Sequence, residues 1–196
     1  MVGQGDRAGQ GDRVAKTSHF TAETTLRDPK PAMTSCLIRP AIQADTATVR
    51  RLIRALAEYE HELHNVTATE ADLHDALFGP VPRIYAVLAE VDREPVGLAL
   101  FYYTFNTFKA RPDIFLEDLF VEPAHRGTGI GFALMRHLAQ RAVAENCTRV
   151  EWRVLNWNQP SIDFYHRIGA APIDRWHTLL LAGDALAALA KGKTHG

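Results

Sequence analysis

Between Leu116 and Phe132 the chain reads LEDLFVEPAHRGTGIGF. Its first six residues have the apolar and β-branched character of a strand, and Pro123 forbids that strand from continuing. From Ile130 an amphipathic helical pattern begins, with Leu134 and Leu138 on the same face. In between lie three alternating glycines, Gly127, Gly129 and Gly131. Glycines at a strand-to-helix turn let the backbone approach a ligand closely, and the N–H groups of a first helical turn have no partners of their own. Such a turn is a phosphate site, and a strand that feeds a helix in this way belongs to an α/β sheet protein.

Two familiar phosphate motifs do not fit. The P-loop needs a Lys after its last glycine, and none follows here. The dinucleotide fingerprint is G-x-G-x-x-G, whereas the third glycine comes one residue early and gives G-x-G-x-G. Glu151 falls about 20 residues further on, where a ribose-binding acid would stand, but its position does not rescue the spacing. Coenzyme A is the remaining phosphate ligand for a turn of this kind.

The rest of the chain supplies a sheet for this turn to stand on. Cys36–Arg39 reads as a short strand closed by Pro40, and Asp45 is placed to cap a helix with Val49, Leu52, Ile53, Leu56 and Leu63 at helical spacing. Thr67 and Glu70 have capping-box spacing before a second helix ended by Gly79 and Pro80. Ile84–Val91, Val96–Phe105 and Ile114–Val121 are strand candidates, the first two joined through Asp92-Arg93-Glu94-Pro95. A helix over Gly129–Asn146, a strand over Arg149–Leu155, a helix over Gln159–Ile168, a strand near Trp176–Leu181 and a short surface helix packed by Leu186 and Leu189 complete the order βααβββαβαβ plus a closing helix. Such an order predicts an α/β fold of mixed, mostly antiparallel strand direction flanked by helices.

With 196 residues, 46% of them apolar, the patterned part from residue 35 to 196 suits one domain. Residues 1–34 are rich in Gly, Gln, Asp, Arg and Thr and are read as a disordered extension, with Met33 as the expected translation start. The longest apolar run, Val96–Tyr103, is far short of the ~20 residues of a membrane span. Lys and Arg number 22 against 23 Asp and Glu, interleaved, which leaves no basic footprint for nucleic acid. Cys36 and Cys147 are far apart and without C-x-x-C spacing, so a reducing cytoplasm is expected. His61-Glu62-Leu63-His64 has its histidines three apart rather than the four of H-E-x-x-H, and no metal is expected.

R-x-x-G-x-G opening a helix resembles the signature of the GCN5-related N-acetyltransferase (GNAT) family. The spans Ile38–Ala41 (IRPA), Leu56–Glu60 (LAEYE), Leu116–Val121 (LEDLFV), Arg126–Gly131 (RGTGIG) and Trp157–Ala170 (WNQPSIDFYHRIGA) resemble the diamine, or spermidine/spermine, N1-acetyltransferase branch, over about residues 36–182. The resemblance implies direct transfer of an acetyl group from acetyl-CoA to a primary amine in a ternary complex, and a homodimer. It implies that Leu119, Phe120 and Val121 offer backbone groups to pantetheine. The amides from Arg126 through Gly127, Thr128, Gly129, Ile130 and Gly131 to Phe132 would hold the pyrophosphate, with the Arg126 side chain at its rim. Asn158 and Ser161 would meet the cofactor at the start of a helix that Asn158 is also able to cap, and Tyr165 matches the family's general acid.

An alkyl ammonium has a pKa near 10.4, so at neutral pH it must lose a proton before attacking a thioester. Glu117 and Asp118 are neighbours on a strand, which sends their side chains to opposite faces. By resemblance Glu117 faces the amine and receives its proton through water, and Asp118 becomes a structural partner of backbone or Arg. Tyr59 and Glu60 match positions that line the amine site, and Glu151 and Arg153 would border it. The chain departs from the polyamine enzymes at His61-Glu62-Leu63-His64-Asn65 and at Thr104-Phe105-Asn106-Thr107-Phe108, where acidic residues and an Asp-Pro-Trp are missing. A diamine, a thialysine-like amino acid or another small amine is then as good an acceptor as spermidine, and an Arg at 153 favours one with a carboxylate. Acetylation of a protein amine and a non-catalytic acetyl-CoA sensor are the competing readings, the second disfavoured by the joint presence of Glu117 and Tyr165.

Overall fold

The computed structural model describes residues 35–174 and 177–193. The expectations of a disordered segment at 1–34 and a start at Met33 lie outside the described residues, as does Trp176. Five strands form one sheet in chain order: β1 (Leu37–Pro40), β2 (Tyr85–Val91), β3 (Glu94–Asn106), β4 (Arg111–Val121) and β5 (Val150–Trp152). Neighbours run antiparallel except β4 and β5, which are parallel.

Helices α1 (Thr46–Tyr59) and α2 (Glu70–Phe78) cover one face. There Val49, Leu52, Leu56 and Leu77 pack on Leu88, Leu98, Leu100 and Phe120. Helix α3 (Ile130–Ala144) covers the other face, where Ile130, Leu134 and Leu138 meet Val87, Ala99, Phe101, Ile114 and Leu116. Gly97 makes this contact close. A Cβ there would stand 3.1 Å from the Ala89 Cβ and 3.3 Å from both Ile130 Cγ2 and Leu134 Cδ1.

Several local expectations shift for identifiable reasons. Asp45 precedes α1 but makes no capping bond to it. Its carboxylate accepts from Ile42 N at 2.8 Å and from Arg39 at 2.6 and 2.9 Å, and Arg39 also donates to Glu90 at 2.8 Å. The charged Arg outcompetes the helix for that carboxylate. In α2 the capping box is Thr69 with Asp72, one register later than Thr67 with Glu70, because Thr69 is the last extended residue (ψ 169°). The β2–β3 turn is two residues, Asp92 and Arg93, both at positive φ, so Glu94 and Pro95 already belong to β3.

Over the described part of the strand expected near residues 176–181, His177–Leu181, no strand is formed. His177–Leu181 pair with no strand, and Leu179 and Leu180 are 91% and 88% exposed. Leu186 and Leu189, expected to pack the closing helix α5 (Gly183–Ala190), are each more than half exposed. The outer edge of β5 is free among the described residues and Thr178 shares a cleft with it, but the segment leaves Leu179 and Leu180 in solvent rather than pairing there.

Pairing between β3 and β4 jumps from Leu100↔Asp118 to Phe101↔Leu116, leaving Glu117 opposite nothing. This is a β-bulge, which bends and twists the strand that carries it. The functional site begins at that point.

Candidate active site

β5 pairs with β4 only from Ile114↔Val150 to Leu116↔Trp152. β4 continues past the bulge to Val121, while the chain leaves β5 for α4 (Gln159–Arg167), so the two parallel strands part. A cavity of about 590 Å³ fills the opening. Leu119, Phe120 and Val121 form one wall, and Val154, Asn158, Ser161, Phe164 and Tyr165 form the other. Beyond Leu116 no strand among the described residues pairs with this side of β4, which leaves its main-chain groups to face the opening.

The glycine loop closes one end, through Arg126, Gly127, Gly129, Gly131 and Phe132. Gly127 and Gly129 have φ of 78° and 93°, a region that side-chain-bearing residues rarely adopt. No side chain caps α3, and its first main-chain bond is Ala133 N to Gly129 O at 2.9 Å. The amides of Ile130, Gly131 and Phe132 are therefore available to an anion at the positive end of the helix dipole. Thr128 and Ile130 do not send side chains into the cavity: Thr128 Oγ1 donates to His125 O at 2.7 Å, and Ile130 is in the core. The Arg126 guanidinium turns back along the wall, donating to Val121 O at 2.9 Å and lying 4.5 Å over the Tyr59 ring.

Tyr59 and Asn158 link α1 to α4. Asn158 is buried, and its Oδ1 accepts from Ser161 N at 3.3 Å, capping α4, and from the Tyr59 hydroxyl at 3.2 Å. The Tyr59 ring also packs against Trp157, with centroids 5.8 Å apart.

The bulge overturns one expectation drawn from strand alternation. Because Glu117 is the unpaired residue, Asp118 faces the same way as Leu100, towards α1, and Glu117 lies on that side as well. Asp118 has no hydrogen-bond or ion-pair partner among the described residues; it is not a structural partner of an Arg. It faces Glu117 and Glu60 instead, and burial followed by these two charges pushes its carboxyl up to about 6. Burial and then Glu62 also raise Glu60. The Tyr165 hydroxyl is pushed up to about 12 by burial and then by Glu60, with its ring 4.9 Å from Trp152. Three carboxylates with no ion-pair partner among the described residues stand beside a tyrosine that stays protonated, an arrangement chemically suited to meeting a cation and giving up one proton.

Glu151 stands on the same sheet face, opposite Phe115 in the parallel register, and pairs with Arg149 at 2.9 Å. Arg153 follows on β5's exit, with its guanidinium 5.4 Å over the Phe115 ring, and lines the cavity together with Glu60 and Tyr165.

The sequence profile of the acetyltransferase (GNAT) family matches residues 48–170. The chain belongs to this family. Over 169 residues, 81% of this chain and 99% of the relative, the GNAT chain is 34% identical to a thialysine N-epsilon-acetyltransferase of Bos taurus. It is 34% identical over 150 residues to a human spermidine/spermine N(1)-acetyltransferase-like protein 1, covering 71% of this chain and 21% of that one. Among solved structures, an integron cassette protein from the mobile metagenome of V. cholerae superposes with a TM-score of 0.69 at 28% identity, covering 80% of this chain and 98% of that chain. The protein is thus an acyltransferase of the N-acetyltransferase type, similar in sequence to the diamine branch.

Of the residues singled out from the sequence, the GNAT fold gathers the strand, the loop, Asn158, Ser161, Tyr165, Tyr59, Glu60 and Arg153 around one cavity, with Glu117 and Glu151 on the adjoining sheet face. Sequence reasoning missed Asp118 as a member of the acidic group. Its only signal is the β3–β4 register, which no local pattern carries.

Proposed function

We propose that this GNAT protein transfers the acetyl group of acetyl-CoA to the primary amine of a small molecule, a diamine, polyamine or thialysine-like amino acid, in a ternary complex. The carrying observation is one cavity with uncapped helix amides at one end and, at the other, Tyr165 beside Glu60, continuing onto Asp118 and Glu117. The donor set suits acetyl-CoA: main-chain amides for pyrophosphate, an unpaired strand edge for the amide-bearing pantetheine arm, and a cavity within the usual ligand range of about 300–1,000 Å³. Bound acetyl-CoA supplies the thioester carbon that the amine attacks.

Glu60, Glu117 and Asp118 draw in the ammonium, and Glu117 takes its proton through water. As the C–N bond forms and the C–S bond breaks, Tyr165 hands its hydroxyl proton to the departing sulfur, and the second proton shed by the nitrogen returns through water to the tyrosine oxygen. A hydroxyl held at about 12 is still protonated at neutral pH and so ready to do this. The similarity to enzymes named for thialysine and spermidine/spermine supports a small acceptor.

A homodimer is part of the proposal. The outer edge of β5 has no strand partner among the described residues, and Phe105, Phe108, Leu179 and Leu180 are exposed apolar groups that a second copy would cover. We place the protein in the cytoplasm, where the free thiols Cys36 and Cys147 stay reduced; among the described residues no helix is long and apolar enough to cross a membrane.

Release of free CoA from acetyl-CoA, measured with putrescine, spermidine, thialysine, lysine, an aminoglycoside and a lysine peptide, tests the reading. Turnover with a small amine supports it. Turnover with the peptide alone, or acetyl-CoA binding without any turnover, overturns it in favour of a protein acceptor or a sensor.

A further inference from the structure

The sheet face beyond α1 carries a second pattern of charge beside the acidic group. Arg149 is fully engaged, with Nε 3.1 Å from Asp113 and Nη2 2.9 Å from Glu151. Glu151 thereby shares this one cation with Asp113. Arg153, two residues on, has no carboxylate within ion-pair distance among the described residues, although it stands in an acidic neighbourhood. It is held instead by an aromatic platform: its guanidinium lies over Phe115, and Phe115 is stacked on Tyr102 at 5.2 Å with 29° between the rings. Stacking fixes the plane of a guanidinium while leaving its N–H fork free, which suits bidentate recognition of a planar anion. The Tyr102 hydroxyl lies within the field of both Glu117 and Arg153, so the anionic and cationic groups flank a common point on the face. The cavity that Arg153 lines also holds Glu60 and Tyr165.

We propose that Arg153 selects the acceptor by binding its carboxylate, so that the preferred substrate is an amino acid carrying a second, terminal amine rather than a diamine. This rests on the small-amine reading above and narrows it. The terminal ammonium is received by Glu60, Glu117 and Asp118, and the carboxylate at the other end by the Arg153 fork. A diamine of equal length has the same second ammonium but no carboxylate to offset it, so its far end meets Arg153 as an uncompensated like charge. The fork thus works in both directions, favouring one substrate class and rejecting the other.

Two matched pairs isolate the carboxylate: lysine with cadaverine, and ornithine with putrescine. Steady-state kcat/KM would be measured for the parent protein, Arg153→Leu and Arg153→Lys, with thermal melts to verify folding. The parent is expected to prefer the amino acid in each pair by at least about tenfold. Arg153→Leu abolishes the preference, with the loss for amino acids carried in KM rather than kcat and a gain for diamines; Arg153→Lys restores part of it. A parent that prefers the diamines, or an Arg153→Leu variant with the same ratio, overturns the inference while leaving the small-amine reading intact. Acetylation of none of the four overturns the inference, while the small-amine reading then stands or falls on spermidine, thialysine and the aminoglycoside in the CoA-release panel.

Discussion

Asp118→Asn is expected to make the protein more stable at pH 8 and less active. The carboxyl is held at about 6 against an ordinary 3.8, chiefly by burial and then by Glu117 and Glu60. At 1.36 kcal/mol per pH unit that difference is worth about 3 kcal/mol. The folded state binds this proton more tightly than the unfolded chain does. Its contribution is therefore fully present below pH 4 and is lost as pH rises through about 6. At pH 8 the parent protein holds a charged Asp118 against burial and two like charges, and an uncharged amide of the same shape removes that strain. For a domain of this size 3 kcal/mol corresponds to a melting temperature higher by roughly 6–12 °C. Melts of parent and variant at pH 4, 6 and 8 would show the curves together at pH 4 and apart at pH 8. A variant that melts lower than the parent at pH 8, or a gap that does not change with pH, would refute the account of Asp118 as an unpaired member of an acidic cluster. Because the same carboxylate faces Glu60 and Glu117, acetylation of small amines by the stabilised variant should fall, a trade typical of functional sites.

Tyr165→Phe should lower kcat by about 10²-fold, since it removes a proton donor without altering the ring that packs on Trp152; full activity in a steady-state assay would dismiss the acid role. Gly97→Ala should cost about 1–3 kcal/mol through overpacking, and it should also weaken acetyl-CoA binding, because two of the three atoms the new methyl meets belong to Ile130 and Leu134 at the start of α3. Chemical denaturation and a cofactor titration would test both halves, and parent-like results in both would show that α3 can shift freely.

What the sequence made legible follows from the range of the interactions involved. The glycine loop, the Asn158 cap and the apolar faces of α3 and of α1 as far as Leu56 are set by residues within a few positions of one another, and they stand where spacing places them; Leu63, expected on the α1 face, falls beyond the helix end at Tyr59 in a separate turn over Leu63–Asn65. Spacing alone picks Thr67 with Glu70 for the α2 capping box and passes over Thr69 with Asp72, which the path of the backbone selects. Asp45 looked like a cap because the competing Arg39 comes from a strand rather than from the helix itself. The strand expected over His177–Leu181 rests on side-chain pattern alone, whereas pairing depends on docking against an edge distant in sequence, which local spacing does not carry. Asp118 was assigned to the wrong face because alternation holds only while two strands stay in register.

The bulge at Glu117 has a consequence for how such a protein can change. The donor slot owes its width to backbone that has left its register, and the loop grips through amides, so neither depends much on which side chains surround them. On the proposed reading, acceptor choice is written elsewhere, in side chains on an open sheet face, with Glu117 and Arg153 exposed and outside the hydrophobic core. Substitutions on that face can redirect the enzyme from one amine to another while folding and donor chemistry are inherited unchanged. One extra residue in a strand separates the part of the machine that must stay constant from the part that is free to vary.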